Sequence, residues 1–269
     1  MATVLVCYAA GPRVHQANQR ALVASARRHG VDRVIARGPW PEEDAFTQRH
    51  RAVLSAREGA GYWLWKPRCI QAALAESAEG DTIVYADSGA DLRSPLAPLT
   101  DASRGRDGVL FWNDYPNWMH VKRDCFVLLG ADRPAHHHAR QLDAALLVFR
   151  NVPRARALVD EWLERCTDPR LVSDAPNTCG LPNLPGFTEH RHDQAILTLL
   201  FLQRREQLDF KLYARRIKHR YVRHHRRRTA WLPIWLWHAF HDGGEAALRQ
   251  AQRRLRWWSR RLGAARTTA

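Results

Sequence analysis

Cysteine is sparse in this chain and follows no paired pattern. Cys7, Cys69, Cys125, Cys166 and Cys179 are an odd number, and none belongs to a Cys-x-x-Cys pair. This argues against both a disulfide framework and a zinc ribbon, and makes a reducing cytosol the expected setting. Long apolar runs are missing as well. No stretch reaches the ~18 residues that a membrane-spanning helix needs. The first ten residues, Met-Ala-Thr-Val-Leu-Val-Cys-Tyr-Ala-Ala, carry no basic n-region and turn polar at Arg13, so they read as a first strand and not as a signal peptide. No internal repeat is visible, which sets aside a repeat array.

Acidic residues are scarce in one part only. The chain of 269 residues carries a net charge of +15. Residues 211–269 hold 16 Lys/Arg against Asp242 and Glu245, a net of +14, which leaves 26 basic and 25 acidic residues, net +1, for residues 1–210. The charge therefore belongs to a tail, and the first 210 residues read as one balanced catalytic domain. At 45% hydrophobic the chain has enough apolar material for one substantial core.

Element types alternate along that domain. A strand over residues 4–8 precedes a helical pattern over 18–29, a second short strand over 33–36, and a helix and strand within 61–92. Strand-like 109–112 and 146–149 follow, then a helix over 154–166 introduced by Pro153, with Leu158, Val159, Trp162 and Leu163 on one face. Such alternation predicts an α/β fold with a mixed, mostly parallel sheet flanked by helices. Residues 168–190 contain four prolines, two glycines and no hydrophobic period; such a loop is functional or disordered, and because it leads into the Asp193-Gln194 helix start it is expected to wall the acceptor site.

The densest chemistry lies in residues 61–92. Lys66 stands before Pro67, a residue suited to a helix's first turn, and Ile70, Ala73 and Leu74 follow with helical spacing. After Gly80-Asp81, the run Thr82-Ile83-Val84-Tyr85 reads as a buried strand that ends in Asp87-Ser88-Gly89. Ligands bind outside the carboxyl ends of such strands, so Asp87 and Ser88 are site candidates, although the same three residues would also make an ordinary turn. Lys66 is either a solvated lysine or the cation that meets a bound anion at the helix start. Tyr8, at the end of the first strand, is either a nucleobase platform or a core-edge ring. Trp63 and Trp65 are expected to pack. Asp193-Gln194 opens an apolar helix, where Asp193 is either a simple cap or, with His190 and His192 beside it, a catalytic group. His136-His137-His138 are consecutive and are expected to form an exposed loop and not a metal site.

The 61–92 unit resembles the nucleotide-sugar-binding half of the GT-A glycosyltransferases, in which a helix with a basic residue leads into a strand ending Tyr-x-Asp-x-Asp. Residues 141–151, Gln-Leu-Asp-Ala-Ala-Leu-Leu-Val-Phe-Arg-Asn, and 189–197, Glu-His-Arg-His-Asp-Gln-Ala-Ile-Leu, are similar to the acceptor-side strand and the Asp-Gln helix start of polysaccharide-type bacterial members. Gly89 stands where that family has the second Asp, so Asp87 carries over directly and Asp91 is the substitute. The resemblance implies a Rossmann-like GT-A domain over residues 1–210 and transfer of a sugar from a nucleotide-diphosphate donor to a polysaccharide, glycolipid or lipid-linked acceptor, with retention following from the Asp-Gln pair. It implies donor contacts at Tyr8, Lys66, Asp87 and Ser88, and a divalent cation, Mn²⁺ or Mg²⁺, at Asp87 and Asp91. Asp193, Gln194 and His192 would act on the sugar. In some metal-dependent relatives a late histidine completes the metal shell, but the basic context of His219, His224 and His225 argues against that role here.

The tail, residues 211–269, is basic and rich in tryptophan. Trp231, Leu232, Ile234, Trp235, Leu236, Trp237 and Phe240 cluster around Pro233. Beyond Glu245, a helical winding puts Leu248, Ala251, Leu255, Trp258 and Leu262 opposite Arg249, Arg253, Arg256, Arg260 and Arg261, with Trp257 on the basic side. That pattern suits a helix lying on an anionic membrane and predicts a peripheral protein on the inner face of the cytoplasmic membrane. It also suits a helix packed on the domain. The competing function is a nucleic-acid-binding protein that uses this tail, but no DNA or RNA module precedes it.

Overall fold

In the computed structural model of the chain, residues 1–224 are described and form one compact unit. The readings placed on the tryptophan cluster, the helix beyond Glu245 and His225 lie outside the described residues. Nine strands are described: β1 (Thr3–Tyr8), β2 (Arg33–Arg37), β3 (Thr82–Ala86), β4 (Ala90–Leu92), β5 (Gly108–Pro116), β6 (Arg140–Leu142), β7 (Leu146–Arg150), β8 (Phe210–Ala214) and β9 (Val222–His224).

Seven of them make the main sheet, in the order β2-β1-β3-β7-β5-β6, with β8 on the other edge of β5; β4 and β9 pair separately. β2, β1, β3, β5 and β8 run one way, and β7 and β6 run against them. The sheet is thus mixed and mostly parallel, as the alternation of elements predicts, and its β1–β3 half is Rossmann-like. The boundary drawn at residue 210 falls at the start of β8. Residues 211–224 add this edge strand, a helix at Arg215–Tyr221 and β9 to the same unit.

Alternation along each central strand fills two cores, because successive side chains point to opposite faces. Val4, Val6, Ile83, Tyr85, Leu147 and Phe149 face the helices Trp65–Ala75, Pro153–Cys166 and His192–Gln203. Leu5, Cys7, Val84, Ala86, Leu146 and Val148 face Leu22 and Ala26 of the helix Arg13–Arg28, with Leu99 and Val222. β3 is buried at every position, which explains why its sequence is a continuous apolar run and not an alternating one.

Two expectations change. His136-His137-His138 close a short helix, Pro134–His138, instead of an exposed loop, and His136 is buried against Ala131 O and Arg133. Residues 168–190 include one turn of helix, Pro169–Val172. The rest is irregular but tied down: buried Asp124 accepts N–H bonds from Thr178 and Cys179, and Lys122 Nζ donates to Ala175 O.

One feature had no sequence signal. Gly59, Ala60, Gly61, Tyr62 and Trp63 all have positive φ, between 51° and 97°, so the chain makes a left-handed turn just before the Lys66 helix. Each non-glycine residue there costs about 1–2 kcal/mol. The turn is closed by Tyr62 N–H to Glu58 O at 2.8 Å and by the Trp65 indole N–H to Gly59 O at 2.8 Å. A Cβ on Gly61 would sit 2.8 Å from Leu54 Cα, whereas one on Gly11, also at positive φ, would meet nothing within 4 Å. Gly61→Ala is therefore expected to cost about 2–4 kcal/mol and Gly11→Ala only about 1. Urea denaturation of both decides it, and equal losses would mean that the turn is not built this way in solution.

Candidate active site

Several chain ends meet at one edge of the sheet. β1 and β3 finish there, β7 starts there because it runs antiparallel to β3, and the helices Trp65–Ala75 and His192–Gln203 both begin there. Helix starts present the positive ends of their dipoles, and parallel strands collect ligands at their carboxyl ends. The side chains that converge are Lys66, Asp87 and Asp193.

Lys66 is 4% exposed and Asp193 is 3% exposed. Lys66 Nζ lies 3.1 Å from Asp193 Oδ2 and 3.7 Å from Asp87 Oδ1, and donates to Ala144 O at 3.1 Å. Asp193 Oδ2 is enclosed and has no hydrogen bond in line, so ionic attraction to Lys66 is what compensates it. Burial by itself would lower the Lys66 pKa, but Asp193, Asp87 and Asp143 outweigh it and hold the ammonium above its ordinary value. Burial pushes the Asp193 carboxyl up, Lys66 pulls it back, and the balance stays above the ordinary carboxylate value. The helix start that contains Asp193 has no side-chain cap bond; this carboxylate is spent on the lysine.

Asp87 is the open member, its side chain 35% exposed. The buried Tyr85 hydroxyl donates to its Oδ1 at 2.7 Å, and its own N–H donates to Ala145 O at 3.0 Å, one step beyond the last β3–β7 pair, Ala86 with Leu146. Ser88 follows in the turn to β4. Gln194 takes the Ala144 N–H on Oε1 at 3.3 Å, and its amide N–H groups reach Gln141 Oε1 at 2.5 Å and Tyr115 OH at 3.4 Å.

The other sequence candidates stand around this centre. His192 has φ 43°; its Nδ1 lies 2.8 Å from Val172 O, and its ring lies 5.2 Å from both Tyr62 and Trp63. Tyr8 is stacked on Trp65 at 4.1 Å, so the protein already covers one of its faces. Asp91 sits in β4 with Arg223 of β9 as its register partner, and His224 pairs with Ala90 next to it. Sequence reasoning missed Asp143 and Lys218, a buried ion pair between the β6–β7 turn and the helix Arg215–Tyr221. Asp143 was in plain view in Gln141-Leu-Asp-Ala, but Lys218 was hidden among the basic residues of the tail.

A bound divalent cation would need ligands. Among the described residues no three His, Cys, Asp or Glu side chains come together as a metal cage. Lys66 Nζ holds the position between Asp87 and Asp193. The donor set therefore does not fit a metal held by the protein alone. Asp87 is the carboxylate open to a cation that arrives with phosphate oxygens, the usual way Mg²⁺ is bound.

Two buried histidines beside the site make a pH prediction. His190 accepts the Lys122 N–H on Nδ1 and bonds Leu171 O through Nε2 at 2.7 Å, an arrangement that suits the neutral ring. Burial holds its pKa well below the ordinary value, and burial with Arg191 nearby takes His120 down to about 4. Between the folded and unfolded pKa values the unfolded chain binds more protons, so stability rises with pH across that window. From pH 6.5 down to 5 His120 alone is expected to cost the fold on the order of 1–2 kcal/mol, and His190 adds to the loss in the same direction. Urea midpoints measured from pH 7 to pH 5 test this, and a flat profile would mean that the rings are not buried neutral.

No protein-family model and no curated protein matches this chain. Solved structures similar to it include mouse xyloside xylosyltransferase 1 in its apo form, at 13% identity and a TM-score of 0.41, covering 78% of this chain and 84% of that one. Two others are the apo WbbM bifunctional glycosyltransferase, at 12% identity and 0.44, and the glycosyltransferase GlyE of Streptococcus pneumoniae TIGR4, at 14% and 0.36. Each matches 78% of this chain, which spans 38% of the WbbM chain and 45% of the GlyE chain. All three are glycosyltransferases by name. Likeness at this level decides nothing about activity, and the chemistry of the site has to carry the functional reading.

Proposed function

We propose that this chain is a GT-A-type glycosyltransferase that moves a sugar from a nucleotide-diphosphate donor to a glycan, glycolipid or lipid-linked acceptor, with retention at the anomeric carbon. The observation that carries the reading is the Lys66 ammonium set between Asp193 and Asp87 at the carboxyl ends of β1 and β3. In transfer, the acceptor hydroxyl oxygen bonds the anomeric carbon, the bond from that carbon to the diphosphate breaks, and the acceptor proton passes to the departing phosphate. Positive charge grows on the sugar and negative charge on the diphosphate. Asp193, whose burial Lys66 partly offsets, faces the first; the two helix starts face the second. Asp87 would hold any counter-cation brought in by the diphosphate, and such an ion would supply charge neutralisation to the leaving group. Gln194, bonded to Ala144, Gln141 and Tyr115, and His192, its ring 5.2 Å from both Tyr62 and Trp63, flank Asp193 in the chain and would set its position.

The acceptor side of the proposal rests on composition. The +14 charge and the tryptophans beyond residue 210 suit an anionic membrane surface, where lipid-linked acceptors are found. No described helix is long and apolar enough to cross a membrane.

A thermal-shift screen of UDP- and GDP-sugars, with and without Mn²⁺, tests the donor, since a ligand bound to the native state raises its melting temperature. Asp87→Asn is expected to keep the fold and lower donor hydrolysis on the order of 100-fold or more. No stabilisation by any nucleotide sugar, together with tight, salt-sensitive binding of DNA or RNA, would replace this reading with the nucleic-acid one.

A further inference from the structure

The turn between β6 and β7 bonds Lys66, Gln194 and Asp87 through its backbone. Ala144 O accepts from Lys66 Nζ, Ala144 N–H donates to Gln194 Oε1, and Ala145 O accepts the Asp87 N–H. Three residues, Asp143-Ala144-Ala145, thus bridge a helix start, a second helix start and a strand end. The turn is shaped by its own carboxylate, since the Ala145 N–H donates to Asp143 Oδ1 at 2.9 Å. The other carboxylate oxygen, Oδ2, is bonded by Lys218 Nζ. Both side chains are buried, Asp143 at 5% and Lys218 at 3% exposed. Lys218 comes from the segment 215–224, which is held at its far end by β9 pairing with β4 directly after Asp87-Ser88-Gly89.

We propose that Asp143 and Lys218 are a positioning pair: Lys218 locks the Asp143 carboxylate, which fixes the 143–145 turn, and that turn sets Lys66, Gln194 and Asp87 relative to one another. The pair acts through other residues and does not touch the reacting atoms. It also gives the segment 215–224 a part in the active site, although its composition had placed it with a surface tail. A charge at this depth is expensive unless paired, so a lysine kept here without a partner in reach would be excluded from the fold. The geometry requires both members, because Asp143 alone could turn its free oxygen elsewhere. Displacement of a catalytic group by about 1 Å costs on the order of 100-fold in rate, so a small slackening of the turn is enough to be read in turnover.

The test uses the full chain and three variants: Lys218→Met, Asp143→Asn, which is isosteric, and Lys218→Arg, which keeps the charge. The first arm is NMR hydrogen exchange, and it does not depend on the glycosyl-transfer reading. Lys218→Met and Asp143→Asn are expected to lose protection about tenfold or more at the amides of Asp87, Ala144 and Ala145, while Val6 and Val84 in β1 and β3 stay protected. Lys218→Arg should resemble the native chain. Unchanged protection at the three amides, or an equal loss throughout β1 and β3, overturns the pair.

The second arm rests on the proposed function and uses hydrolysis of whichever UDP- or GDP-sugar raises the melting temperature. A fall in kcat of about 10- to 100-fold with KM within about threefold, rescued in Lys218→Arg, is expected for a positioning role. A rise in KM with kcat unchanged would make Lys218 a direct donor contact, and normal kcat in protein of lowered melting temperature would make the pair structural only. Either result overturns the proposal. If the native chain hydrolyses no nucleotide sugar, the transferase reading fails and the exchange arm alone decides the pair.

Discussion

Replacing Lys66 by methionine is expected to cost the fold about 3–5 kcal/mol and to abolish transfer together. Methionine nearly matches the lysine stem in volume, so the loss comes from charge and not from a cavity. Asp193 would be left 3% exposed with no cation in reach, and Asp87 would lose its nearest one. Breaking a buried pair by removing one partner has a cost of this size because the other charge remains desolvated. Two further measurements separate this cause from general damage. Asp193 already prefers its proton more than an ordinary aspartate does, and without Lys66 that preference grows. An acid whose folded pKa is raised gives stability that is present at low pH and lost as pH rises through that pKa. The deficit of Lys66→Met against the native chain should therefore be largest near neutral pH and shrink as the pH falls. The double variant Lys66→Met/Asp193→Asn removes the stranded charge and should recover most of the lost stability. It should recover none of the activity. Urea unfolding of the single and double variants from pH 4.5 to pH 8 reads both effects, and a deficit that is constant with pH and unrelieved by Asp193→Asn would sink the account.

What could be read from the sequence follows the range of the interactions involved. β1, β2, β3 and β7 were visible because their apolar runs state a local preference, and the helix Pro153–Cys166 was visible from its stripe and its proline. The nearness of Lys66, Asp87 and Asp193 came only from family resemblance, since 127 positions separate the outer two and no local rule joins them. β8 was lost to the basic tail because Phe210-Lys-Leu-Tyr-Ala is short and half polar, as an edge strand is, and only pairing with β5 makes it a strand. β4 and β9 are three residues each and are defined by one another. The left-handed turn before Lys66 contains Ala60, Tyr62 and Trp63 at positive φ, which their own propensities oppose. Packing overrode them, with Trp65 bonding Gly59 O and His192 set against the two aromatic rings. His136 was misjudged because three consecutive histidines look solvated, whereas one of them is turned inward to a backbone carbonyl.

Asp193→Asn is expected to lower turnover on the order of 1,000-fold while the KM for the donor changes little. The size follows from what charge does at a water-excluded reacting centre. One misplaced or missing polar group there costs 10²- to 10³-fold, and here a full negative charge is exchanged for an amide of the same shape. On the proposed function KM should hardly move, because the carboxylate would matter when positive charge develops on the sugar and less while the donor is merely bound. The same substitution discriminates against the plainer role for this residue. A helix cap would lose roughly 1 kcal/mol in stability on replacement by alanine, would tolerate asparagine, and would leave the protein that remains folded fully active. The structure argues against the cap on a specific point: the first turn of His192–Gln203 has no side-chain cap bond, and Asp193 Oδ2 is directed at Lys66 instead. Asparagine therefore keeps the helix start and loses the ion pair. A modest stability loss is expected from Lys66, which still has Asp87 and Ala144 O. Steady-state kinetics on Asp193→Asn and Asp193→Ala, with the melting temperature of each, give the answer. Normal turnover in Asp193→Asn would make the buried Lys66–Asp193 pair a structural ion pair and move the reacting centre away from it.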